Sequence, residues 1–342
     1  MLLKSCNAAS TPSVHRKYGS AAAASASPLF PPASVRGIDA NPALANLLDS
    51  TLVSPLSYNA TVLNAWGFKP AQCGRGDFLV ANTGMVDRWI CAAEGEQLVT
   101  AAMDEILSKG CRKKKGGQAV RTNALFVDVG SNSGFYGLNA ISHGCVAAFF
   151  DVQPGCNKVV NGALLVNGFT DHGVVMAAGL SNRQDIVPAS SESTCSLESG
   201  RYPISAMETN SLQDGDVNVP VLPLSHLLPS TSSSTRVFMM KIDTEGLEQR
   251  VLAGAMPLFQ KRAIDYVIVE VTPGKGGGRF LVWEKQGVSA DDVAKTMRDI
   301  AACGYSFTNL KSKSKTTDPK LVREMFAKRD FDQADFLITR VR

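Results

Sequence analysis

The chain has 342 residues, 44% of them hydrophobic, enough to bury a full core in one large domain or two. Its formal charge is +4, but residues 1–38 hold no acid and four bases, Lys4, Arg16, Lys17 and Arg36, and setting these aside leaves 31 basic against 31 acidic residues. A neutral body gives no charge argument for a nucleic-acid partner, and the absence of an apolar run of about eighteen residues predicts no membrane span.

Residues 1–38 are rich in Ala and Ser and lack acids and hydrophobic periodicity, which predicts a disordered leader. The same composition suits an organelle transit peptide, and no apolar core of a secretory signal is present, so a cytoplasmic or an organellar compartment stays open. The eight cysteines, at 6, 73, 91, 111, 145, 156, 195 and 303, show no paired metal-ligand spacing. They read as reduced thiols, with Cys145 and Cys156 as small core residues, and no metal site is expected. Asn59-Ala60-Thr61 is a glycosylation-type sequon without a secretory signal to support it.

Residues 39–123 form an N-terminal extension in which one helix is predicted, over 94–107, with Leu98, Ala101, Ala102, Ile106 and Leu107 on one face. It reads as a helical cap. Arg112, Lys113, Lys114 and Lys115, followed by two glycines, read as a solvated basic loop. From 124 onward strands and helices alternate. Strands are predicted at 125–129, 146–151, 174–178, 237–243 and 266–271, and helices at 135–142, 157–167 and 247–261. A helix at 291–303 and a hairpin-like pair of strands at 305–310 and 335–339 complete the chain. The fold class is therefore α/β and Rossmann-like: a seven-stranded, mostly parallel sheet with helices on both faces, spanning 124–342. Residues 181–235 are a Ser-rich insertion with one extended piece at 217–222.

The first predicted strand runs into Asp128-Val129-Gly130-Ser131-Asn132-Ser133-Gly134. Gly130 and Gly134 permit a tight reversal and close backbone approach to a ligand, although an ordinary strand–turn–helix junction would use them equally. A dinucleotide fingerprint needs glycine at the first, third and sixth positions; here the third is Asn132, which favours S-adenosylmethionine over NAD. Asp151 closes the second strand at the distance from Gly130 where a carboxylate accepts ribose hydroxyls, or else serves as a turn residue. In the fourth strand Lys241 and Asp243 share a face, costly to bury unless paired or functional. They read as a catalytic acid with its lysine, as an ion pair anchoring the strand, or both. Glu270 closes the fifth strand beside Asp243 if the strands are neighbours, and His226, late in the insertion, stands within reach of the same cleft. Lys275 to Arg279 reads as a flexible loop, lacking the spacing of a phosphate-binding P-loop.

Together these segments resemble the FkbM-type family of S-adenosylmethionine-dependent methyltransferases. The resemblance rests on 127–136, on Lys241-Ile242-Asp243-Thr244-Glu245-Gly246-Leu247-Glu248 with Val251-Leu252-Ala253-Gly254-Ala255, and on Glu270. It departs from the pattern in two places. The family's Glu-Pro-x-Pro is here Asp151-Val152-Gln153-Pro154, and its Leu-Asp pair before the fourth strand is here Leu224-Ser225-His226.

The resemblance implies a class I methyltransferase fold with S-adenosylmethionine as cofactor and a hydroxyl acceptor on a sugar, glycolipid or small metabolite rather than nucleic acid. It further implies that Gly130, Ser131, Asn132 and Gly134 line the cofactor, with Asp128 fixing the turn, Asp151 on the ribose and Ala178, Gly179 and Leu180 bordering the adenine. Asp243 is the expected base, with Glu270 and His226 next. The alternatives are a catalytically silent methyltransferase-like module and, further off, a NAD-dependent oxidoreductase.

Overall fold

The computed structural model describes residue 52 and residues 67–341 apart from 75, 83–89, 92–95, 116–117, 191–194, 196–215, 229–235, 272–282, 284–286 and 329–333. The leader at 1–38, the sequon at Asn59, the loop from Lys275 to Arg279 and most of the Ser-rich insertion lie outside the described residues.

A sheet of eight strands, one more than the sequence predicts, organises the described chain. Its parallel part comprises β5 (Leu125–Val129), β6 (Val146–Phe150), β7 (Gly173–Met176), β11 (Val237–Ile242) and β12 (Ile264–Val271). Three antiparallel strands, β13 (Tyr305–Asn309), β14 (Lys315–Thr316) and β15 (Ala334–Arg340), extend one side, giving the order β14-β13-β15-β12-β11-β5-β6-β7. The strand order reverses at β5, which lies between β11 and β6, and the crevice there is where ligands of open α/β sheets sit.

Every residue of β5 and β6 is buried, as expected of parallel strands covered on both faces. Leu125, Val127 and Val129 face one apolar core with Met240, Ile242, Val267 and Val269. Phe126 faces the other with Ala147, Phe149, Met239 and Ile268. At about 25 cal/mol per Å² of apolar surface, each fully buried Phe or Val contributes roughly 1.5–3 kcal/mol. Strand alternation therefore fixes which face the polar residues share: Lys241 pairs in register with Asp128, and Glu270 pairs with Asp335, all on the Phe126 side of the sheet.

The helices α2 (Phe135–His143), α3 (Pro154–Val166) and α7 (Ala290–Ala302) fall where periodicity puts them. The helix expected over 247–261 is instead two, α5 (Glu248–Gly254) and α6 (Met256–Gln260). Pro257 has no N–H for the carbonyl four residues back and opens the second piece instead of continuing the first. In the N-terminal extension, α1 (Gln97–Gly110) buries Val99, Thr100, Met103, Asp104 and Leu107; of the predicted face Leu107 is buried and Ala102 and Ile106 pack half-buried on the core, while Leu98 is 45% exposed. The buried stripe is rotated from the predicted one because the inner face includes a carboxylate, Asp104, which is satisfied by Asn139 Nδ2 at 2.9 Å and His143 Nε2 at 3.2 Å.

The extension also carries two ribbons, β1 (Phe68–Pro70) with β2 (Leu79–Ala81), and β3 (Arg112–Lys115) with β4 (Gln118–Arg121). The expected basic loop is thus an antiparallel ribbon. Arg112 and Arg121 donate to the Ser142 and Ile141 carbonyls, where cations complement the negative end of α2. Two strands of the insertion, β9 (Asp185–Ser190) and β10 (Asp216–Leu222), form a small sheet with β8 (Gly179–Leu180), and the single turn α4 (Leu224–Leu227) follows.

The expectation of reduced thiols is overturned. Disulfides join Cys73 to Cys91, Cys111 to Cys145 and Cys156 to Cys195, Cys303 is disulfide-bonded as well, and no described cysteine is free. Sequence spacing misses them because the partners are 18 to 39 residues apart and are brought together only by the tertiary fold. Among the described residues no helix is long and apolar enough to cross a membrane.

Candidate functional site

The β5–α2 loop has the geometry of a ligand cradle. Gly130 and Gly134 sit at φ of 71° and 80°, and Asn132 at 47°, a left-handed position that Asn tolerates better than most residues. Gly130 N and Ser131 N both donate to Phe150 O, at 2.9 and 3.1 Å, tying the loop to the end of β6. On its other side a β-carbon at Gly130 would overlap the Asp243 carbonyl oxygen. The loop is thus wedged between the ends of β6 and β11. Gly130→Ala combines that overlap with a disfavoured φ, and a loss of about 2–4 kcal/mol of stability is expected in chemical denaturation; an unchanged midpoint would contradict the packing.

Asp151 stands beside this loop, 5% exposed. Its Oδ2 accepts from Asn132 N and its Oδ1 from Gln153 N, each at 2.8 Å, while Asn157 Nδ2 donates to its carbonyl at 3.0 Å. The Gln153 side chain hydrogen-bonds the same carboxylate, which leaves one lone-pair site for a further donor. Burial pushes its pKa up to about 6 despite these three hydrogen bonds. Ser131 Oγ is buried in the same loop and has no hydrogen-bond partner among the described residues. A cradle with one orphaned hydroxyl and a carboxylate of spare capacity fits the polar ribose-bearing cofactor the sequence implies. Asp128 acts differently. Its Oδ2 accepts from Gly137 N at 2.8 Å and pins the first turn of α2 to β5. Ala178 is fully buried, and Gly179 packs against Val152 and Val221, so this segment flanks the residue after Asp151.

Across the loop lies a partly buried group of charges. Lys241 is wholly buried, with Nζ 3.3 Å from Asp243 Oδ2 and 5.2 Å above the Tyr136 ring. One oxygen from each of Glu96, Asp243 and Glu270 lies within 4.8 Å of the other two, and Tyr136 Oη donates to Glu96 Oε2. A divalent cation can bridge oxygens so spaced, but the Lys241 ammonium already supplies a positive charge there. Burial alone would depress the Lys241 pKa; Asp243, Glu96, Glu270 and Asp335 outweigh it and push it up, so the ammonium stays charged. The acids move the other way. Burial raises Glu96 to about 7 against the pull of Lys241, and burial with Asp243 raises Glu270 well above the carboxylate range. Acids outnumber the single lysine, so the group holds protons near neutrality.

Beyond Asp243 the chain turns sharply through Glu245 at φ 51° and Gly246 at φ 100°. Glu248 Oε1 staples this turn, accepting from Gly246 N at 2.8 Å and Thr244 N at 3.1 Å. A non-glycine residue held in the left-handed region beside a charged cluster is strain of the kind found at functional turns.

The raised carboxyls fix the sign of the pH dependence. For Asp128, burial lifts the pKa from 3.8 to about 7, so its contribution is complete below pH ~4 and is lost as pH rises through ~7. Glu248, raised to about 7 by burial, acts in the same direction. The protein is expected to be more stable to urea at pH 5.5 than at pH 8.5. Asp128→Asn should narrow that difference by about 2 kcal/mol, since pH 5.5 lies about one and a half pKa units below 7 and each unit corresponds to about 1.4 kcal/mol. Equal stability at the two pH values would contradict the burial of these acids.

The structure unites Asp243 and Glu270 but not His226. That histidine is exposed on α4, with Nδ1 3.3 Å from Gln184 Nε2, and no described contact joins it to the acids. Three participants escape a reading of the sequence. Glu96 and Tyr136 meet across 40 residues of chain, and Asp335 reaches the group only through the antiparallel register of β15 on β12. A Tyr placed two residues after Gly134 is the one available hint.

Solved structures of similar shape include a SAM-dependent methyltransferase from Agrobacterium tumefaciens (9% identity, 80% of this chain and 70% of that one, TM-score 0.38). Others are a human methyltransferase 10 domain containing protein (10%, 73% and 84%, 0.33) and a putative tRNA methyltransferase from Streptococcus pneumoniae (11%, 70% and 70%, 0.32). Scores this low carry no inference about this chain's chemistry. Among curated proteins no relative is found. The family described as the methyltransferase FkbM domain matches residues 128–307, from the acid of β5 through the glycine loop, the lysine–acid strand and Glu270 to β13. Since that span is more than half of the chain and contains the cradle just described, the protein belongs to the FkbM methyltransferase family.

Proposed function

We propose that the protein is an S-adenosylmethionine-dependent O-methyltransferase acting on a hydroxyl of a sugar, glycolipid or small metabolite. One observation carries the reading: the backbone of Gly130 packs directly on the Asp243 carbonyl, so the cofactor cradle and the lysine–acid group share a wall. When bound, S-adenosylmethionine supplies an electrophilic methyl group on a sulfonium sulfur. Asp151 holds the ribose hydroxyls, and Ser131 and Asn132 line the cradle, with Ala178, Gly179 and Leu180 along the adenine. Asp243, fixed by Lys241, orients the acceptor hydroxyl and takes up its proton, and Glu270 and Glu96 share that proton within the group. Glu96, raised to about 7 by burial, suits a share in proton uptake, because a base works best with a pKa near the operating pH. The domain spans 124–342, and the extension at 39–123 contributes Glu96. The disulfides favour an oxidising compartment, where such bonds persist.

The test is transfer of a labelled methyl group from the cofactor to a panel of glycosides, glycolipids and small alcohols, run beside amines and RNA. Label in an alkali-stable ether is expected. Label confined to nitrogen or RNA, or no transfer to any hydroxyl, would overturn the acceptor assignment.

A further inference from the structure

Of the disulfides with both partners described, one stands at the edge of the sheet that carries the cradle. Cys111–Cys145 ties the end of α1 to the residue before β6, at the opposite edge, and Cys73–Cys91 lies within the N-terminal extension. Cys156 is in the first turn of α3, buried, and directly precedes Asn157, whose Nδ2 holds the Asp151 carbonyl. Cys195, from the insertion, places its Sγ 3.4 Å from Asn132 Oδ1. A disulfide sulfur has no proton to donate, so this is a sulfur–oxygen packing contact. Asn132 is in turn the residue whose N–H grips the Asp151 carboxylate at 2.8 Å, from a left-handed backbone position that needs external support. The two ends of the disulfide therefore abut the two asparagines that hold Asp151.

We propose that Cys156 and Cys195 are positioning residues for the cofactor: their disulfide presses on Asn132 and fixes the loop amide and the carboxylate that receive the ribose. The inference rests on the cofactor assignment above. A dithiol reductant releases the restraint. Two electrons and two protons from the dithiol convert the sulfur–sulfur bond into the thiols of Cys156 and Cys195, and the dithiol closes to its own disulfide. With the thiols free, Asn132 loses its packing partner and the Asp151 carboxylate its fixed orientation, and the cofactor binds more weakly. Cofactor capture is then linked to the redox state of the surroundings.

The experiment begins with a non-reducing peptide map of the full oxidised chain, which should show the Cys156–Cys195 cross-link; its absence overturns the proposal. S-adenosylmethionine affinity is next measured by calorimetry for the oxidised protein, for the same protein after dithiol treatment with alkylation mapping, and after reoxidation. The doubly substituted Cys156→Ser, Cys195→Ser protein and a Cys111→Ser, Cys145→Ser control follow. The expected result is about tenfold weaker binding, or about 1.4 kcal/mol, in the reduced protein and in the 156/195 variant. Reoxidation should restore affinity, and dithiol should add nothing in that variant. The control should lose melting temperature without losing affinity, which separates positioning from general stabilisation. Should the 156/195 variant fail to fold, the reduction and reoxidation of the unsubstituted chain decide the matter. Equal affinity in all redox states, with the cofactor bound, refutes the positioning role. Failure of the oxidised protein to bind the cofactor at all refutes the cofactor assignment instead.

Discussion

Asp151→Ala should weaken S-adenosylmethionine binding by about one to two orders of magnitude while leaving the fold intact. The carboxylate accepts from Asn132 N, Gln153 N and the Gln153 side chain and keeps one lone-pair site for the ribose. A hydrogen bond to a charged group contributes about 1.5–3 kcal/mol, so losing it is worth roughly ten- to a hundredfold. The stability effect is smaller, because burial already disfavours the ionised form and its removal offsets part of the lost amide contacts. Calorimetric titration checks the first point and a thermal melt the second. Unchanged affinity in a folded Asp151→Ala protein would return Asp151 to the role of a turn residue.

Asp243→Asn is expected to lower turnover by about 10²- to 10⁴-fold, the usual range for loss of a positioned proton acceptor, while the cofactor still binds. The same substitution tests structure and chemistry together. Lys241 is completely buried and Asp243 lies 3.3 Å from its ammonium, so neutralising the partner leaves a buried charge less compensated. Breaking a buried pair in this way costs about 3–5 kcal/mol. Here Glu96 and Glu270 remain as neighbours, and the loss should fall at or below the low end of that range. Activity retained together with a lowered melting point would make Asp243 an anchor of the strand end and nothing more. Loss of both turnover and cofactor affinity would place it in the cradle itself.

What the sequence discloses follows from how locally each feature is encoded. The strand from Leu125 to Val129 and the glycines at 130 and 134 are written in consecutive residues, and the structure places them as read. Alternation along Met239-Met240-Lys241-Ile242-Asp243 puts the lysine and acid on one face, and the parallel pairing of β11 with β12 sets Glu270 beside them. Features that depend on distant segments are not legible. Glu96 arrives from the start of α1 and Asp335 from the last strand, and neither position carries a local mark of its destination. The cysteines mislead for the same reason: spacing identifies metal knuckles but says nothing of thiols brought together across 18 to 39 residues. Asp104 shows the converse error. A charged residue on the inner face of α1 reads as a solvent position, but Asn139 and His143 satisfy it in the interior.

The central claim, a cofactor cradle closed by Asp151, meets its most direct test in calorimetric titration of the full-length oxidised chain with S-adenosylmethionine and, in parallel, with NAD. Saturable one-to-one binding of S-adenosylmethionine, lost in Asp151→Ala, with no heat from NAD is the predicted result. Binding of NAD alone, or of neither compound by a folded protein, would contradict it.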